Sequence, residues 1–122
     1  MATIKAYTTI EQSRKLADIL SLESADMFYP TNSDWEGKII GLLDVPLYIG
    51  SDGFVDTEMG EIHAWSLAAL LGVLPKSLIY TPNPALDGYC CKNIMHDLET
   101  YGENPVDACY EMIIKLKERN LL

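Results

Sequence analysis

The chain has 122 residues, 48% of them apolar and 22% charged, with 18 acids against 9 bases and a formal charge of −9. That length favours a single domain, residues 1–122, with a core that needs no metal or disulfide to staple it, and the composition excludes a disordered chain. The negative charge repels phosphate backbones and anionic lipid, which argues against direct nucleic-acid binding and against a membrane surface.

The first predicted element is a helix over about residues 9–21. Thr8 with Glu11, or Thr9 with Gln12, offers a capping box. Ile10, Leu16, Ala17 and Leu20 fall near one face. Residues 27–37, "MFYPTNSDWEG", read as a loop, because Pro30, Asn32, Ser33, Asp34 and Gly37 are all turn formers. "KIIGLLDVPLYIG" then suggests one or two short strands with a break or an edge position at Pro46. Asp52-Gly53 is a hairpin signal, and Phe54 and Val55 start a return strand.

A second helix is predicted over about residues 65–73, in the run "AWSLAALLGVL". Ser66 caps it, Leu67, Leu70, Leu71 and Leu74 make its face, and Gly72 and Pro75 mark its end. Eleven helical residues span roughly 17 Å, too short for the ~30 Å apolar core of a bilayer. Because the run is apolar nearly all round, it reads as a buried central helix. Strands follow at Leu78–Tyr80, Tyr89–Met95 and Asp97–Tyr101, with "TPNPALDG" as a loop. The third helix, about 104–119, has Asn104 as N-cap and Pro105 at its first position, where a missing N–H costs nothing. Val106, Cys109, Tyr110, Ile113 and Leu116 form its face. The sum is an α+β domain, three helices packed on a mainly antiparallel sheet.

Chemistry-bearing residues are sparse. The three cysteines, Cys90, Cys91 and Cys109, are too few and too odd for a disulfide framework and point to a reducing cytoplasm. The N-terminal "MATIKAYTTIEQ" has no apolar stretch of signal-peptide type, which agrees with a cytoplasmic protein. Cys90, Cys91 and His96, with His63 distant, match no zinc spacing. "NSDWEG" resembles the first half of a calcium loop, but the twelfth position, where a bidentate Glu is needed, is Leu43. Asp52, Asp56, Glu58 and Glu61 crowd carboxylates into one short stretch, read as a solvated acidic loop that doubles as a weak candidate interaction site. Trp35 is the one large aromatic in a predicted loop; it reads first as a Trp closing over a small core, and second as a partner anchor that joins that candidate set. No phosphate loop, nucleophile elbow or metalloprotease motif is present, so no catalytic residue, metal ligand or cofactor is assigned.

Three blocks, "AYTTIEQSRKLADILSLESADM" (6–27), "WSLAALLGVLP" (65–75) and "NPVDACYEMIIKLKE" (104–118), together resemble a family of small bacterial proteins often encoded on phages and other mobile elements. The resemblance implies an accessory protein of a mobile element. It supplies no functional residues, because the family has no established activity. The leading expectation is therefore a non-enzymatic, protein-binding accessory protein that either meets a partner or self-associates as a homodimer. An acidic inhibitor of a nucleic-acid-binding host protein is the second reading. A small carboxylate-based metal-dependent enzyme built on residues 52–61 is the third.

Overall fold

The computed structural model describes residues 6–33, 39–42, 46–48, 61–74, 76–80 and 88–122. The fold is α+β, with three α-helices and two antiparallel sheets among the described residues. The chain divides into two compact units, residues 9–65 and residues 1–8 with 66–122.

In the unit of residues 9–65, helix α1 runs Ile10–Ala17. Of the two candidate capping boxes, Thr9 and Gln12 form the real one. Thr9 Oγ1 accepts from the Gln12 N–H at 3.2 Å, and the Thr9 N–H donates back to Gln12 Oε1 at 3.0 Å. The helix ends four residues short of the expected Ser21. Ser21 instead caps a 3-10 turn, Leu22–Ser24, by accepting from the Glu23 N–H. Ser13 and Leu16 are its buried residues, whereas Ala17 faces out.

Four strands follow: β1 (Met27–Ser33), β2 (Ile39–Leu42), β3 (Leu47–Tyr48) and β4 (Glu61–Ala64). Strand β1 corrects the loop expected at 27–37. Its turn-forming residues are tolerated because β1 changes partners in mid-strand. Met27 and Phe28 pair with β3, and Thr31 to Ser33 pair with β2 across a bulge. Pro30, which has no N–H to give, falls between those two stretches and, among the described residues, pairs with Glu61 of β4. Met27 and Tyr29 alternate with the half-buried Phe28, so one face of β1 is core. Trp65, fully buried, donates its indole N–H to Ser24 Oγ at 2.9 Å, which satisfies the polar end of a large apolar ring. The expected hairpin at 52–53 and return strand at 54–55 lie outside the described residues.

In the other unit, helix α2 spans Leu67–Val73, with Ser66 Oγ accepting from the Ala69 N–H at 3.2 Å. Tyr7 bridges to Ser66, and Ala6 accepts from the Leu67 N–H, so the start of the chain pins the start of this helix. Leu70 and Leu74 are buried, while Ala68, Leu71 and Gly72 are exposed. The run is thus a one-faced helix and not one buried all round. Strands β5 (Ser77–Tyr80), β6 (Tyr89–Asn93) and β7 (Leu98–Gly102) form a meander in the order β5-β6-β7.

Helix α3, Pro105–Glu118, starts as its sequence prescribes, with Asn104 Oδ1 accepting from the Asp107 N–H at 2.9 Å. Val106, Cys109, Ile113 and Leu116 are buried as expected, joined by Pro105, Ala108 and Met112, and Tyr110 is half-buried. The helix lies on β6 and β7 and also packs against α2.

Leu70 has no solvent exposure. An aspartate there would bury an unpaired charge at a cost of several kcal/mol, comparable to the ~5–15 kcal/mol of a whole domain. Leu70→Asp is expected to abolish the cooperative thermal transition followed by circular dichroism. An unchanged melting temperature would show that the Leu70 side chain is not core.

Candidate functional site

The β5-β6-β7 sheet sorts its residues by strand alternation. Cys91 pairs with Ile79 on one side and Thr100 on the other. Thr100 is buried, and its hydroxyl donates to the Ala108 carbonyl of α3 at 2.7 Å, so this row faces the helix. The adjacent rows therefore face away from α3. They are Tyr80, Cys90 and Tyr101, and next to them Leu78, Lys92 and Glu99.

At the centre of this outer face is the Glu99 carboxylate. Tyr80 donates its hydroxyl to Oε1 at 3.3 Å, and Tyr101 donates to Oε2 at 3.1 Å. Lys92 Nζ stands 3.8 Å from Glu99 Oε1 and 3.8 Å from Asp97 Oδ1. Side chains from β5, β6 and β7 thus converge on one acid, which two phenols and an ammonium satisfy. The Lys115 ammonium of α3 donates to the Glu99 backbone carbonyl at 3.4 Å, tying β7 to the helix from the other side.

Both phenols resist ionisation. For Tyr80 the causes are a hydrogen bond with Cys90, then desolvation, then the Cys90 and Glu99 charges. For Tyr101 the hydrogen bond to Glu99 and the carboxylate's charge come first. A phenolate beside a carboxylate is doubly disfavoured, by lost donation and by like charge.

The face is open at Tyr101 and Leu78, although Cys90 between the two tyrosines has no solvent exposure. Tyr101 is 62% exposed and Leu78 40%, and the adjoining β6–β7 turn, residues 94–97, adds Ile94 at 58% and Met95 at 54%. Two devices shape that turn. Asn93 Oδ1 accepts from the His96 N–H at 2.9 Å, and Asp97 takes a left-handed φ of 52° that short polar side chains tolerate. Exposed aromatic and aliphatic side chains on a hydrogen-bonded sheet are the composition of a protein-contact surface.

Of the residues singled out from sequence, Trp35, Asp52, Asp56 and Glu58 lie outside the described residues. Glu61 opens β4, with its backbone paired to Pro30. Of that set only the backbone of Glu61 belongs to the described residues. Asn32 and Ser33 of the calcium-like segment are strand residues, paired to Gly41 and Ile39. Cys90 and Cys91 point to opposite faces of β6, His96 sits in the turn, and His63 pairs with Phe28 in the other unit. Among the described residues no group of three or more His, Cys, Asp or Glu side chains is placed to hold a metal ion, and no helix is long and apolar enough to cross a membrane.

The outer-face cluster is not among the residues that the sequence singles out, although its signal is there. Leu78/Tyr80, Cys90/Lys92 and Glu99/Tyr101 each keep the period-2 spacing that puts two residues on one face. What was lacking was the register that sets those three pairs side by side. No family model matches the chain, and comparison with curated proteins and with solved structures finds no match.

The phenol–carboxylate geometry has a measurable signature. Raised folded pKa values mean that the native state holds these protons after the unfolded chain has released them. Their stabilisation is therefore complete below the usual tyrosine value of ~10 and is lost as the pH climbs above it. In an ultraviolet titration near 295 nm, Tyr80 and Tyr101 are expected to ionise later than ordinary phenols, and Glu99→Gln is expected to move Tyr101 back down, with a smaller effect on Tyr80, which Cys90 and desolvation also hold. Identical titration curves for the two proteins would break the assignment.

Proposed function

We propose that the chain is a non-enzymatic, protein-binding accessory protein, of a mobile element as the family resemblance implies, and that the outer face of β5-β6-β7 with the 94–97 turn is its contact surface. One observation carries the reading: Glu99 holds the hydroxyls of Tyr80 and Tyr101, while Tyr101 and Leu78 stay open to solvent. Tyrosines already fixed in place lose little conformational freedom on contact, so more of the buried area is converted into affinity. The acidic-inhibitor reading draws on the net charge of −9 and on Asp97, whose side chain is 91% exposed at the rim of the same face. Charge-led binding of that kind falls steeply with added salt, whereas contact through Tyr101, Leu78, Ile94 and Met95 falls little.

Tyr101→Ala combined with Ile94→Ser removes exposed surface without opening the core, and such changes stay within about 0.5 kcal/mol of the parent stability. The double variant is expected to keep its melting temperature and to lose at least about tenfold in the recovery of whatever protein co-purifies with the parent from bacterial lysate, equivalent to ~1.4 kcal/mol. Equal recovery by both proteins would move the contact surface elsewhere.

A further inference from the structure

We propose that Cys91 and Cys109 are a redox pair, reduced in the structure described here and able to close into an intramolecular disulfide that staples α3 to β6. The placement follows from the fold. Cys91 shares its face of the sheet with Thr100, its cross-strand partner, and Thr100 bonds the carbonyl of Ala108, the residue immediately before Cys109. Helix α3 packs on β6 as well as β7, and both thiols have no solvent exposure. The packing of α3 on β6 therefore sets Cys109 over the face of the sheet that carries Cys91. Cys90 is excluded from the pair, because it lies on the opposite face, in register with Tyr80.

The chemistry of the pair is asymmetric. Cys109 holds its proton, since its hydrogen bond to Cys91 and its burial both push its ionisation up. The same hydrogen bond draws Cys91 down, against the opposing effect of burial. Cys91 is therefore the nucleophile and Cys109 the resolving thiol. Burial calls for a small oxidant of the hydroperoxide class, hydrogen peroxide itself being the smallest. The Cys91 thiolate attacks one peroxide oxygen. The O–O bond breaks, a sulfenic acid forms and hydroxide leaves as water. The Cys109 sulfur then attacks the Cys91 sulfur, the S–O bond breaks, and a second water leaves with the Cys109 proton. Two thiols are oxidised to one disulfide, and one peroxide is reduced to two waters.

The test treats the full chain with near-stoichiometric hydrogen peroxide, alkylates the remaining thiols in denaturant and digests with trypsin without reduction. Cleavage after Lys76, Lys92 and Lys115 separates the peptide holding Cys90 and Cys91 from the one holding Cys109. The expected product is a single cross-link between these two peptides, located at Cys91 by fragmentation, retained in Cys90→Ser and reversed by dithiothreitol. Because the link closes the Lys92–Ala108 loop, the oxidised protein is also expected to melt roughly 5 °C or more above the reduced one. A link through Cys90, a link between two chains, sulfinic acid at Cys91, or three fully alkylatable thiols would each overturn the proposal. Mapping on the parent chain keeps the answer independent of whether a Cys91 variant folds.

Discussion

The first turn of α3 lies so close to β7 that position 102 has no room for a side chain. A Cβ built on Gly102 would stand 2.5 Å from the Ala108 nitrogen and 2.8 Å from Asp107. Beside it the Thr100 hydroxyl reaches the Ala108 carbonyl. One glycine and one hydroxyl thus seat the helix on the sheet and choose which face it covers. Once that face is taken, Cys91 and Thr100 go inside with Cys109, Met112 and Ile113. Alternation then turns Tyr80, Glu99 and Tyr101 outward. The proposed contact surface and the thiol pair are two results of the same close approach.

Much of this was legible locally. The Asn104-Pro105 start of α3, the Thr9/Gln12 box and the Ser66 cap are short-range hydrogen-bonding choices, and short-range chemistry is what a sequence states most directly. Strands β5, β6 and β7 were likewise visible in their composition. Strand β1 was not, because Pro30, Asn32 and Ser33 are turn formers by propensity. They become strand residues only through partners that lie beyond them in the chain. Helix α2 was read as buried all round, since periodicity does not reveal how much of an apolar helix finds something to pack against. Leu71 and Gly72 remain outside.

The candidate site was hidden for the same reason. Each of its strands shows a harmless pair of residues, and only the register Tyr80–Cys90–Tyr101 and Leu78–Lys92–Glu99 makes them one cluster. A carboxylate satisfied by two phenols is rigid and carries little uncompensated charge. That suits a surface built to be covered by another molecule. The acidic stretch from Asp52 to Glu61 drew attention in the sequence because charge is conspicuous there, whereas hydrogen-bonded tyrosines are not.

The seating of α3 is tested most directly by three glycine-to-alanine variants compared in reversible denaturation. Among the described residues, Gly72 has nothing within 4 Å of its ideal Cβ, and Gly88 meets the Gly102 carbonyl oxygen at an ordinary 3.8 Å. Gly72→Ala should gain about 0.5–1 kcal/mol from helix propensity, and Gly88→Ala should change little. Gly102→Ala should lose about 1–3 kcal/mol or more, because backbone cannot yield as a flexible side chain can. Equal stability of Gly102→Ala and Gly88→Ala would contradict the close approach of α3 to β7, and with it the assignment of inner and outer faces.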